Sequence, residues 1–180
     1  MNKGVEVVKF TKTERLILSN QYKILEKLYP EEQKYYEVDR KAIEEGYEIH
    51  YEEIGGHIYD GLTSDECREV LDILSMYRSI VFSTNNLSEE EQKEVKSKQT
   101  IYFEGFDAND EYEVKLLMYA RYFIVDKERF QEFKESEEYP YFNSHTPMLQ
   151  KYRRMLEKYN KLERKQKLPK KDILALLGTY

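Results

Sequence analysis

Any chemistry in this chain would have to come from three scattered histidines, one cysteine and a few polar residues set in apolar stripes. His50 and His57 stand seven apart, with Glu52, Glu53 and Asp60 nearby. A transition-metal site wants a tighter set, such as two histidines four apart on one helix face, so no metal is expected there. Ser144 and His145 are neighbours in sequence, which does not make a triad: a nucleophile and its base must face each other across space. Cys67 lies on an apolar helix face and reads as an inert buried thiol. The chain has no Gly-rich phosphate loop, no Cys-x-x-Cys and no nucleophile elbow. No residue is assigned as catalytic, and no cofactor is expected.

Two positions break otherwise apolar lines. Gln21 falls on the line Ile17, Gln21, Ile24, Leu28, and it closes the mid-helix run Ser19-Asn20-Gln21. Such residues cost helix stability unless their polar groups are used. Arg121 falls on the line Val114, Met118, Arg121, Val125. A buried guanidinium there requires a carboxylate or several carbonyls. Ser19, Asn20, Gln21, Arg121 and Asn143 are therefore expected in a structural hydrogen-bond network. The alternative is a small polar pocket around Gln21, Arg121 and Asn143, which would make the protein an enzyme.

The richest stretch runs from Phe142 to Leu156, where a polar cluster leads into a helix start. Thr146 and Pro147 are a strong N-cap and first-turn pair for a helix to about residue 164. On that helix Met148, Tyr152, Met155, Tyr159 and Leu162 form a buried seam. Lys151, Arg154, Lys158, Lys161 and Lys165 repeat about a quarter turn away as a cationic ridge. The ridge reads first as a solvated face that complements acidic surface of this chain or of a second copy. An acidic protein partner or a nucleic-acid backbone is the alternative, with nucleic acid not favoured because the tyrosines sit on the seam instead.

The elements that must position these residues are helical. Only 7 Gly and 4 Pro against 36% charged residues argue for long helices rather than many turns. Seventeen Tyr and 8 Phe supply apolar area that the low mean hydropathy conceals. Thr11 with Glu14 opens a helix to about Tyr29, whose stripe Leu18, Tyr22, Leu25, Tyr29 is widened by Ile17, Ile24 and Leu28. Pro30 opens a second helix that Gly46 ends, with Tyr35, Val38, Ala42 and Ile43 on its inner face. Gly55, Gly56 and Gly61 mark a loop, after which Thr63 or Ser64 caps a helix with Cys67, Val70, Leu71, Leu74, Tyr77 and Val81 inside. Ser88 with Glu91 starts a short acidic helix. Residues 99–107 are the one candidate extended segment. Asp107 caps a helix over 108–126, residues 127–141 form a charged helical turn, and 170–177 a last helix stopped by Gly178. The fold class is all-α: a helical hairpin at the N-terminus packed on or next to a multi-helix bundle. The chain reads as one domain, 1–180, with 11–60 as hairpin and 61–180 as bundle if it divides.

A net charge of −6 hides an asymmetry. Residues 151–171 carry a net of +8, and residues 31–150 a net of −16. A chain so polarised suits pairing with itself or with another copy, so a homo-oligomer is expected. The single Cys fits a reducing compartment. No apolar run nears 18 residues and no export signal is visible, so a cytoplasmic protein with no membrane contact is expected.

Several ordered blocks resemble the YfbU-like family of bacterial proteins. They begin with Arg15-Leu16-Ile17-Leu18-Ser19-Asn20-Gln21-Tyr22-Lys23. Glu45-Gly46-Tyr47, Cys67-Arg68, Met76-Tyr77 and Phe103 with Gly105-Phe106-Asp107-Ala108 continue it. Phe142-Asn143, Thr146-Pro147-Met148, Lys151-Tyr152 and Arg154-Met155-Leu156 complete it. The likeness spans about residues 13–160, and the three histidines fall outside its blocks. It implies an all-helical cytoplasmic protein and brings no reaction with it. The sequence therefore points to a non-enzymatic helical interaction or regulatory module that self-associates.

Overall fold

The computed structural model describes residues 8–55 and 61–178. It divides into two compact units, one ending at Asp60 and the other starting at Gly61. The fold is all-α; among the described residues the only β feature is an isolated parallel bridge between Phe106 and Asn143.

In the first unit, α1 (Lys12–Leu28) starts at a full capping box: the Glu14 N–H donates to Thr11 Oγ1, and the Thr11 N–H to the Glu14 carboxylate. Pro30 opens a 3-10 turn rather than the helix itself, and α2 (Gln33–Glu45) follows. Gly46 ends α2 in the left-handed conformation, φ 79°. Arg15 then closes the hairpin by donating Nε to the Ile43 carbonyl at 2.6 Å and Nη2 to the Glu44 carbonyl at 2.5 Å. A cation on the last carbonyls of a helix satisfies orphan acceptors and suits the helix dipole. The hairpin seam holds Leu18, Tyr22 and Leu25, half-buried, with Ala42 and Ile43 buried. The short α3 (Tyr51–Gly55) buries Tyr51 against Phe10. Tyr35 and Val38, expected inside, are each 63% exposed. The α2 face that packs turns Tyr36, Asp39 and Arg40 inward instead.

The second unit is built on α4 (Ser64–Asn85), again opened by a capping box, Thr63 with Glu66. Val70, Ile73, Leu74, Met76, Tyr77, Ile80 and Val81 are all buried, because helices pack on more than one side of it. Cys67 is only half-buried. Around α4 lie α5 (Glu89–Lys98), α6 (Glu113–Arg121), α7 (Leu149–Asn160) and α8 (Lys170–Leu177). Ser88 with Glu91 caps α5. A π-helical turn, Tyr122–Asp126, continues α6, and a 3-10 turn covers Gln131–Glu135.

The segment 99–107 forms no strand. It threads Phe103 and Phe106 into a cluster with Tyr77, Phe142 and Tyr152, ring centroids 5.5–5.9 Å apart. Main-chain bonds hold it: Phe106 N–H to the Phe142 carbonyl and Ser144 N–H to the Phe106 carbonyl, both 3.1 Å. The approach is so close that a Cβ on Gly105 (φ +96°) would lie 1.7 Å from the Phe142 carbonyl oxygen.

Candidate functional site

Each polar residue singled out above has a place: Ser19, Asn20 and Gln21 lie in the first unit, Arg121 and Asn143 in the second. Ser19 is buried and donates its hydroxyl to Glu44 at 2.7 Å. Glu44 also takes Arg40 at 2.8 Å and Lys23 at 3.3 Å, and Arg40 reaches Glu26 at 2.6 Å. The Ser19 hydroxyl, with Arg40 and Lys23 after it, holds the Glu44 carboxyl below its usual range. So Ser19 ties α1 to α2. Asn20 and Gln21, its neighbours, are exposed. Burial was expected at Gln21 and is absent, because the whole line Ile17, Gln21, Ile24, Leu28 faces outward.

In the second unit, Arg121 is half-buried and finds neither carboxylate nor carbonyl among the described residues. Its guanidinium lies 5.7 Å from the Tyr141 ring, and its Nε is buried without a partner. Met118, placed on the same inner line, is 57% exposed. Asn143 accepts the N–H groups of Ala108 and His145, each at 3.1 Å, and thereby fixes two loops. No hydrogen bond joins Arg121 to Asn143 among the described residues. Among the described residues the His145 ring has one polar partner, the Asn143 side chain, and the His50 ring one, Glu53 at 3.7 Å. His57 lies outside the described residues. Among the described residues no three His, Cys, Asp or Glu side chains stand together as metal ligands.

The start of α7 departs most from expectation. Thr146 does not cap it; its hydroxyl makes one long bond, 3.4 Å, to the Ser144 carbonyl. Glu113 does the capping from the first turn of α6. It is buried, 4% exposed, and accepts N–H groups from Met148 (2.9 Å), Leu149 (2.7 Å) and Asp107 (3.0 Å). Asp110, not Asp107, caps α6 itself, accepting from Tyr112 and Glu113. A carboxylate 36 residues away in sequence leaves no local signature at the helix it caps.

The seam Met148, Tyr152, Met155, Tyr159 is buried and Leu162 is half-buried, as the spacing predicts. The cationic ridge is shorter than expected. Helix α7 ends at Asn160, so Lys161 and Lys165 lie beyond it. Lys151 is bound to Glu104 at 3.2 Å, while Arg154 and Lys158 are exposed.

What the first unit presents outward is an apolar face on α1. Leu16, Ile17, Ile24 and Leu28 are 62, 52, 58 and 64% exposed. On a helical projection they share an arc with Thr13, Asn20 and Gln21, and Lys27 is the one full charge within it. Ile17, Gln21, Ile24 and Leu28 are spaced 4-3-4, the repeat of a helix that packs on another helix. Reading these residues as a widening of one buried stripe missed a signal: an apolar arc too broad for one partner helix has two contacts to make.

The family model described as the YfbU domain matches residues 8–178. A UPF0304 protein (MJECS11) of Methanocaldococcus jannaschii is 43% identical over 173 residues, which cover 93% of this chain and 98% of that protein. The chain belongs to the YfbU family.

Proposed function

We propose that the protein is a non-enzymatic helical interaction module of the cytoplasm that self-associates through the outward face of α1. The observation that carries this reading is the exposed, heptad-spaced line Ile17, Gln21, Ile24, Leu28 with Leu16 beside it. Contiguous exposed apolar side chains on a soluble protein mark an interaction surface. Depletion of charge at the centre of a patch is a compositional mark of protein interfaces.

The occupant is a second copy of the same face. A face that meets itself must avoid like charges, and this one carries only Lys27 at its edge. It must also satisfy its polar centre. Asn20 and Gln21 each bring a donor and an acceptor, so two copies complement one another across a twofold axis. An amide inside an apolar helix seam is a known device for fixing register and oligomer state.

Light scattering or sedimentation equilibrium from low micromolar to millimolar concentration tests the reading. The expected result is a reversible dimer. Ile24→Asp places a charge against its own copy, so that variant is expected to be monomeric with its helix content unchanged. A wild-type chain that stays monomeric throughout the range would overturn the self-association.

A further inference from the structure

The sequence spacing carries the helix on to about residue 164, whereas in the structure α7 ends at Asn160 and the segment after it forms a separate surface. Leu168, 2% exposed, pins it to α4 by donating its N–H to the buried Ser83 hydroxyl at 2.9 Å. Two adjoining grooves flank the pinned segment. One, about 710 Å³, is lined by Arg78, Phe82, Asn86, Tyr159 and Lys165 among others. The next, about 730 Å³, is lined by Asn86, Lys161, Arg164, Lys167 and Lys171 with two carboxylates, Glu163 and Asp172. Asn86 is common to both.

The cations here differ from three others in the same C-terminal stretch. Lys151, Arg153 and Lys170 are each held by a carboxylate. The side chains of Lys161, Arg164, Lys167 and Lys171 have no hydrogen bond or ion pair among the described residues. Arg78 is already engaged, bidentate with Glu132 and 3.9 Å over the Phe130 ring, so it adds little free charge. In the first groove Phe82 is 48% exposed, with the Arg78 guanidinium 5.9 Å from its ring centre. Asn85 and Asn86 lie beside it; the Asn86 amide donates one N–H to the Phe82 carbonyl at 2.8 Å and keeps its second N–H and its oxygen.

We infer that this groove binds single-stranded nucleic acid. Lys161, Arg164 and Lys167 take the phosphate backbone, and Phe82 stacks one base. An exposed aromatic face at the end of a basic groove suits unpaired bases, whose faces are free to stack; a duplex hides them. The neighbouring amides supply both donors and acceptors to a base edge. An acidic protein segment would be served by the cations alone and would leave Phe82 unused. The inference does not depend on the dimer proposed above, since these residues all belong to the second unit.

The test is fluorescence anisotropy of the full-length protein with labelled oligouridine, oligothymidine, a duplex of equal length and polyglutamate. Single strands are expected to bind, with affinity falling as salt rises at a log–log slope of about −2 for three phosphate contacts. Charge reversal at Lys161, Arg164 and Lys167 together should weaken binding at least tenfold and flatten that slope. Phe82→Leu keeps an apolar side chain and should weaken binding roughly five- to a hundredfold at unchanged slope, while Phe82→Tyr should bind as the parent does. Circular dichroism confirms that each variant is folded. The comparison of uridine with thymidine strands identifies which nucleic acid is preferred. Absence of single-strand binding at low salt would overturn the inference. Equal binding of duplex or polyglutamate, with Phe82→Leu silent, would overturn it too by leaving a general polyanion surface.

Discussion

Removal of the Glu113 carboxylate is the sharpest test of how the second unit is held together. Its two oxygens accept three buried or partly buried N–H groups, from Asp107, Met148 and Leu149, at 2.7–3.0 Å. Hydrogen bonds to a charged acceptor contribute about 1.5–3 kcal/mol each, and buried donors left unsatisfied cost about 1–3 kcal/mol. Bonds that share one acceptor group do not add in full. Glu113→Ala should therefore lose on the order of 4–5 kcal/mol, a large share of a typical domain's stability. Glu113→Gln keeps the shape and one acceptor oxygen, and should lose about 2 kcal/mol. Thr146→Ala is the internal contrast. Its hydroxyl makes one marginal bond, so the cost should stay below about 0.5 kcal/mol. Urea unfolding reads all three as midpoint shifts at constant m-value. Amide exchange at Met148 and Leu149 should quicken in the Ala variant before the rest of α7 does. The reasoning fails if Glu113→Ala costs less than about 1 kcal/mol, or if Thr146→Ala costs as much as Glu113→Gln.

Two further outcomes can be measured on the same unit. Gly105→Ala requires a methyl group 1.7 Å from the Phe142 carbonyl at φ +96°, so the loop must move. It should cost several kcal/mol, on the order of 3 or more, and broaden the Phe106 and Tyr152 resonances. Glu94 is held at about 2 by Lys170 and then Lys98, against an ordinary 4.5. Its folded value lies below its unfolded one, so its contribution is complete above 4.5 and is lost as pH falls towards about 2. Glu94→Gln should flatten the acid limb of the stability curve in that window. A carbon-detected titration that places the Glu94 midpoint at its ordinary value would reject the pairing with Lys170.

Local signals in the sequence were reliable where the physics is local. Thr11 with Glu14, Thr63 with Glu66 and Ser88 with Glu91 each form the box that their spacing announces, since both partners sit within one helical turn. Gly46 ends α2, and α8 spans Lys170–Leu177. Signals failed where a distant group competed. Thr146-Pro147 is a strong local start, yet Glu113 supplies a charged acceptor from another helix and moves the first turn of α7 to Leu149. The segment 99–107 is apolar enough for a strand, but among the described residues no second segment offers it a ladder beyond the bridge at Asn143.

Periodicity gave the direction of each apolar stripe without its depth. Heptad spacing on α1 is the same whether a line packs on α2 or faces solvent. Leu18, Tyr22 and Leu25 pack; Ile17, Ile24 and Leu28 do not. The candidate interaction face was therefore present in the sequence and misassigned to the interior. The free cations and Phe82 were likewise visible as residue types. Their grouping depends on Leu168 docking under Ser83, which brings residues 161–171 beside the end of α4.

By itself the sequence determined the helical class, the three capping boxes, the buried seam of α7 and the family. These rest on interactions within one or two helical turns, or on ordered residue blocks. Only the tertiary structure decided which stripe is core and which is surface, which carboxylate caps α7, and which cations are left without a partner. Each of those is settled by groups far apart in the chain, whose meeting in space no local spacing encodes.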